Sequence, residues 1–335
     1  QEEETVQNEV IPKCSDIYIS TKTKISYLNN QVDLKKTFWQ IPVIDYHDPK
    51  NGVIKKQIKY NFKDMNEIKE IETKLESENL VEQQSISKID NPEGKVKFKD
   101  IRKISVGTCK KDILSYRSKK KSAFYNCYVL ILRILIDDKY KECHVKVFNT
   151  GKLELPGIKS DESLDLILNT LVDILNINCN INIGVKKGVK SETVLINSNF
   201  SCNYFIDREK LVDILKQDYH LNTTYDPCSY PGIMSKFYYD STKQDQTGIE
   251  PSQEDKKEFK KRYKEVSFMI FRTGSVLIVG KCETKELLEI YDFLKMVLHD
   301  EYYKIRQIVN APKKQQKKAV KRKVRKKTIY VKTID

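Results

Sequence analysis

Residues 143–175 read CHVKVFNTGKLELPGIKSDESLDLILNTLVDIL, and residues 266–298 read VSFMIFRTGSVLIVGKCETKELLEIYDFLKMVL. Set 123 positions apart, the two stretches share Phe148/Phe271, Thr150/Thr273, Gly151/Gly274, Gly157/Gly280, Leu164/Leu287, Ile167/Ile290 and Leu171/Leu294. Self-similarity at one fixed offset marks an internal repeat. Each copy predicts a strand ending in F-x-T-G, where Thr-Gly closes a tight hairpin, then a second strand that closes at the shared glycine, then a helix. Ser160 is the expected N-cap of the first helix, with Asp161 and Glu162 in its first turn. Leu164, Ile167, Leu168, Leu171 and Leu175 recur at helical spacing and make one apolar face. Leu287, Ile290, Leu294 and Leu298 do the same, with Phe293 and Met296 broadening the stripe.

The repeat extends upstream. TKTKISYLNN (21–30) reads as a strand followed by a helix from Val32 to Gln40, and TVLINSNFSCNYFI (193–206) as a strand followed by a helix from Asp207 to Gln217. FYNCYVLILRILI (124–136) precedes the first hairpin as GIMSKFYYD (232–240) precedes the second. Each half is thus strand, helix, several antiparallel strands and a long helix. Two such halves predict an α+β fold: one curved antiparallel sheet, helices on its convex side, the other face open.

Alternation along a strand sorts side chains by face. Phe148, Thr150, Lys152, Glu154 and Pro156 fall on the open face, while Val147, Leu153 and Leu155 turn toward the helices. In the second copy Phe271, Thr273, Ser275, Leu277 and Val279 share the open face. A phenylalanine at the same open position in both halves has two readings. It fills core at a sheet edge, or the pair are wedges that enter between base steps and kink a duplex from the minor groove.

The chain has 335 residues and a formal net charge of +14, with 39% hydrophobic residues, enough for a buried core. From Pro312 to Asp335 there are eleven Lys/Arg and one acid, so this tail holds +10 and the rest only +4. A run such as KKQQKKAVKRKVRKK, with Lys321, Arg322, Lys323, Arg325, Lys326 and Lys327, reads as an arm that binds phosphates or as a nuclear address. The basic loop RSKKKS (117–122) suits phosphate contact or plain solvation equally. The eight cysteines are scattered with no C-x-x-C pair, and none of the four histidines has an i, i+4 partner, so free thiols are expected and no metal or other cofactor. No phosphate-loop, dinucleotide, zinc-protease or serine-hydrolase motif occurs, and the chain is not expected to be an enzyme. No segment reaches the ~18 apolar residues of a membrane span, and none opens the chain as a signal peptide would.

These features resemble the TATA-binding protein family, a saddle of two quasi-identical halves that bends DNA by opening the minor groove. Y-D-P-C-S-Y-P-G (225–232) is similar to the family's Y-E-P-E-L-F-P-G, and F-x-T-G…G in both halves to its I-F-x-S-G-K…T-G. NSNFSC (197–202) is similar to its N-I-V-G-S-C strand, and Val32-Asp33-Leu34-Lys35 to its L-D-L-K. The resemblance runs through residues 16–302 in order. The insertion at about 45–103 and the phrases PKNGVIKKQIKYNF and RSKKKSAFYNCYVLILR look like divergent members from large cytoplasmic DNA viruses.

The resemblance implies a DNA-binding initiation factor that binds and bends AT-rich promoter DNA and recruits RNA polymerase or initiation factors. Phe148 and Phe271 match the strand-borne intercalating residues, Tyr230 the second half's other wedge, and Phe124, with Cys127 as rival, its first-half counterpart. Asn197 matches the central minor-groove asparagine, whose first-half equivalent falls on Ser20 or Thr21; Leu277 and Val279 lie on the same floor. Arg133, Lys152 and Lys236, with Thr150 and Thr273, match phosphate-binding positions. Departures are Glu154 where the family has valine, Pro156 and Val279 for hairpin threonines, Ser275 for a lysine, and Cys228 for the glutamate offered to transcription factor IIB.

The expected divisions are an N-terminal extension (1–15), a first repeat (16–178) carrying the insertion, a second repeat (179–303) with a polar, flexible loop at 241–262, and the basic tail (304–335). Within the insertion, 64–82 reads as an exposed or partly packed helix whose acidity argues against DNA contact. No membrane partner is expected, and the site of action is intracellular: host cytoplasm or virion for a viral protein, the nucleus as the alternative. The rival function is a scaffold that keeps the fold and docks transcription proteins with weak or non-specific DNA binding.

Overall fold

Two offsets relate the halves of the chain. The computed structural model describes residues 10–114, 124–258 and 261–308; the basic loop at 117–122, the beginning of the N-terminal extension and the six tail residues named above lie outside the described residues. Strand β1 (Tyr18–Tyr27) and helix α1 (Leu34–Gln40) correspond to β8 (Glu192–Ser201) and α5 (Arg208–Gln217). Their caps lie 174 residues apart: Asp33 accepts from the Lys36 N–H and Asp207 from the Lys210 N–H. Strands β6 (Lys139–Phe148) and β7 (Lys152–Ile158) and helix α4 (Asp161–Cys179) correspond to β11 (Tyr263–Ile270), β12 (Ser275–Gly280) and α7 (Thr284–Asp300). Here too the caps repeat, at the offset read from the sequence. The Ser163 hydroxyl accepts from the Ser160 N–H, and the Glu286 carboxylate from the Glu283 N–H.

The fold is α+β, with one twelve-stranded sheet in the order β3-β4-β2-β5-β6-β7-β1-β8-β12-β11-β10-β9 and every pair antiparallel. The pseudo-dyad runs between β1 and β8. β5 (Cys127–Ile136) holds the place of β10 (Ile233–Asp240), and β2 (Gly52–Phe62) lies beside β5 as the short β9 (Asn222–Thr224) lies beside β10. Each half therefore owns five strands, and β3 (Val81–Asp90) and β4 (Phe98–Gly107) are the surplus. The helices lie against one face. α1, α4 and α2 (Met65–Glu76) close a core over Leu130, Leu132, Val145, Val147, Leu153 and Leu155, and α5 and α7 close a second over Ile196, Phe200, Phe268, Val276 and Ile278.

The insertion differs from the reading at 64–82. Helix α2 begins after Asp64, whose carboxylate accepts from the Asn66 and Glu67 N–H groups, and stops at Ser77. Leu80 takes a left-handed φ of 54°, and Val81 starts the edge strand. Ile68, Ile71 and Leu75 are buried, so the helix is packed on the first core, with its acids outward. The polar segment 241–262 is likewise built rather than loose. Ser252 caps the short helix α6 (Gln253–Glu258), Gly248 accepts from the Tyr238 N–H, and Arg262 clamps Asp240 through two nitrogens at 2.9 and 2.7 Å.

Candidate nucleic-acid interface

The same backbone device sets both hairpin turns. Gly151 and Gly274 take φ of 82° and 81°, and their N–H groups donate to the carbonyls of Phe148 and Phe271. Their own carbonyls accept from Leu28 and Cys202, again 174 residues apart. A Cβ on either glycine would stand 2.4 Å from the Asn30 carbonyl oxygen or 2.3 Å from that of Tyr204, so the turn tolerates no side chain. Phe148 and Phe271 are consequently held at equivalent positions on the face away from the helices, both half-buried. Thr150 and Thr273 sit exposed at the tips of the turns.

The surroundings of the two phenylalanines differ. Tyr230 meets Phe271 edge-on, ring centroids 5.8 Å apart, with Gly232 packed between the two rings. In the first half Cys127 lies directly across from Phe148, while Phe124 is 61% exposed, just before β5, beneath the Lys146 ammonium at 5.5 Å. Lys152 lies over Phe148 itself, at 5.3 Å.

Between the two phenylalanines lies the floor formed by β7, β1, β8 and β12. Asn197 faces Thr21 on one side and Val279 on the other, and Asn199 faces Leu277 while donating to the Ser20 hydroxyl at 2.8 Å. The first-half equivalent of Asn197 needs correction. Tyr18 pairs with Asn199 and Ile25 with Glu192, so the 174-residue relation maps this pairing onto itself. By that relation Thr23 is the equivalent of Asn197, and Thr21 is the equivalent of Leu195. Thr21 is instead the direct cross-strand neighbour of Asn197. The bulge after Ile19 makes Thr21, not Ser20, that neighbour, which a count along the sequence does not show.

The charged positions also rearrange. Arg133 does not point at solvent for a phosphate: it is 9% exposed and donates to the backbone carbonyls of Asp45, Tyr46 and Asp48. There it pins the 44–48 segment over the open face, where Ile44 and Tyr46 pack on Ile54, Cys109 and Ile131, beside the short helix α3 (Lys110–Leu114). Lys236 is exposed but paired with Glu265 at 3.0 Å, which holds its ammonium above the usual lysine range. Glu154, the carboxylate out of place on this face, is paired with Lys146 at 2.5 Å. Each half thus carries one ion pair spanning neighbouring strands of the open face. Lys146 was missed from the sequence, although its place two residues before Phe148 on an alternating strand puts it beside the wedge.

No protein-family model matches the chain. Over 209 residues, 58% of its length, it is 27% identical to the TATA-box-binding protein-like protein of Acanthamoeba polyphaga mimivirus, of which the match covers 54%. The expected resemblance to a viral TATA-binding-protein-like protein is present. The chain spans about half the length of that curated relative. Among solved structures, the TBP of Methanococcus jannaschii aligns with a TM-score of 0.41 and 12% identity, over 85% of this chain and 99% of that one. No helix among the described residues is long and apolar enough to cross a membrane.

Proposed function

We propose that the chain is a non-enzymatic, TATA-binding-protein-like factor of transcription initiation that binds duplex DNA across its open sheet face, bends it, and recruits polymerase or initiation factors. The observation that carries this reading is the placement of Phe148 and Phe271 by two equivalent glycine turns on one face, across a floor lined by Asn197, Thr21, Leu277 and Val279. Wedges of this kind partly unstack base steps, and a deformable AT-rich duplex makes that cheaper. The floor offers the Asn197 amide to acceptor atoms of the minor groove. Lys152 supplies phosphate contact near the first wedge, and Lys146 and Lys236 do so once DNA competes with their carboxylates. The basic tail adds affinity without sequence preference. Cys228 is exposed in the 225–232 turn where a partner resembling transcription factor IIB would dock, so that contact lacks its acid.

The scaffold reading draws on the ion pairs: Glu154 and Glu265 place two carboxylates on the face that would meet phosphates. Fluorescence anisotropy on AT-rich and GC-rich duplexes over a salt series separates the two. DNA binding by the sheet predicts tighter association with the AT-rich duplex, persisting after residues 312–335 are removed, with a shallower salt slope. Equal binding to both duplexes, abolished by the deletion, makes the sheet a protein-docking surface.

A further inference from the structure

Phe148 lies in a row of side chains that crosses the sheet at right angles to its strands. On one side Lys152 continues it, itself paired with Tyr27 of β1. On the other side Cys127 faces Phe148, Tyr128 faces Ile58, and Lys59, the next residue of β2, faces Lys103 of β4. Alternation places Lys59 and Lys103 on the face of Phe148, since Ile58, Tyr60 and Ile104 belong to the core beneath the helices. The row therefore runs from the first wedge onto a strand that the second half lacks.

Two like charges directly opposite each other on neighbouring strands repel. Neither Lys59 nor Lys103 has an ion-pair partner among the described residues. Lys59 rests over the exposed Tyr125 ring at 3.8 Å. Lys103 is half-buried, and burial, followed by the charge of Lys55, pushes its ammonium below the usual lysine range; Glu82 and Asp112 oppose this and Lys111 adds to it. Lys55 is already committed to Asp112 at 2.7 Å. Two lysines on opposed positions of neighbouring strands, neither held in an ion pair and both in line with Phe148, fit a polyanion that runs along the row.

Resting on the proposed DNA-binding reading, we infer that Lys59 and Lys103 form a phosphate-backbone track, built by the insertion, that lengthens the DNA footprint beyond the Phe148 wedge on the first-half side only. From β6 to β4 is three strand spacings, about 14 Å, or about four base pairs of duplex. Among the described residues the edge beyond Phe271 has only β10 and the three-residue β9, and no such track. The insertion thereby gives a two-fold scaffold a direction on DNA.

The test compares Lys59→Gln/Lys103→Gln with the wild-type full chain on an AT-rich duplex of about 10 base pairs and on one longer by about 8 base pairs at each end. The pair is expected to lose about tenfold in affinity on the long duplex, with a salt slope lower by about 2, and to match wild type on the short one. Lys59→Arg/Lys103→Arg is expected to restore the long-duplex affinity. Hydroxyl-radical protection should shrink on one flank only. Equal loss on both duplexes, or no loss on the long one, overturns the track. Phe148→Ala on the short duplex is read separately: if it too changes nothing, the underlying DNA-binding reading fails, whereas a loss there with indifferent lysines refutes the track alone.

Discussion

Glu154 sits on the open face at the position equivalent to Leu277, and its carboxylate is balanced by Lys146 from the neighbouring strand. Glu265 does the same to Lys236 in the other half. Both pairs are partly exposed, so they add little to stability. Their larger consequence is to hold two lysines out of use. Glu154→Gln/Glu265→Gln is expected to tighten DNA binding several-fold and to steepen the salt dependence by about 2 as the two ammonium groups turn to phosphates. Anisotropy titrations at several salt concentrations check this; unchanged affinity would mean that neither lysine reaches DNA. Such pairs were not legible in the sequence, because they depend on which residue of one strand lies opposite which of the next. The placement of Phe148 and Phe271 was legible, because they sit in matching phrases whose alternation fixes their face. Arg133 shows the converse: a basic residue on the expected strand, directed inward to the carbonyls of a segment whose path the sequence does not reveal.

At the scale of single elements, the hairpin turns and the β10–β11 connection make measurable commitments. Gly151→Ala forces a Cβ against the Asn30 carbonyl oxygen in addition to the left-handed strain, whereas Gly157, also left-handed at φ 84°, has open space about its Cβ position. Gly157→Ala is expected to cost about 1 kcal/mol, and Gly151→Ala about 3 kcal/mol, by chemical denaturation; equal costs would contradict the close approach. Asp240 is nearly buried, and the hydrogen bonds from Arg262 hold its carboxyl far below the usual carboxylate range. A carboxylate whose pKa falls on folding adds stability that is complete above its unfolded value, about 3.9, and is lost as the pH falls further. Asp240→Asn is therefore expected to be less stable than wild type at pH 7, with the difference shrinking as the pH is lowered through 4. A constant difference would show that the clamp is not the source. The repeated elements were readable because β6, β7 and α4 reappear with the same punctuation. β3 and β4 were not. VEQQSISKID on the sheet edge is mostly exposed and has no regular apolar alternation, and the equivalence of β2 is hidden because its counterpart β9 has only three residues.

For the whole molecule, the two-fold relation is the dominant fact, and the insertion is what breaks it. The relation supplies two equivalent phenylalanines and a polar floor between them; the insertion adds strands and a packed helix, and its flanks, 44–48 and α3, cover the far end of the first half's open face. On the proposed reading a duplex on this face meets both phenylalanines at once, so bending, more than affinity, reports the arrangement. Affinity can arise from the tail alone, whereas a kink needs both phenylalanines in place. The decisive measurement is end-to-end fluorescence transfer on a short AT-rich duplex, comparing wild type with Phe148→Ala/Phe271→Ala at matched saturation. Transfer is expected to rise on binding wild-type protein and to stay unchanged with the double variant. Saturable binding with unchanged transfer in the wild type, or the same rise with both proteins, would contradict it.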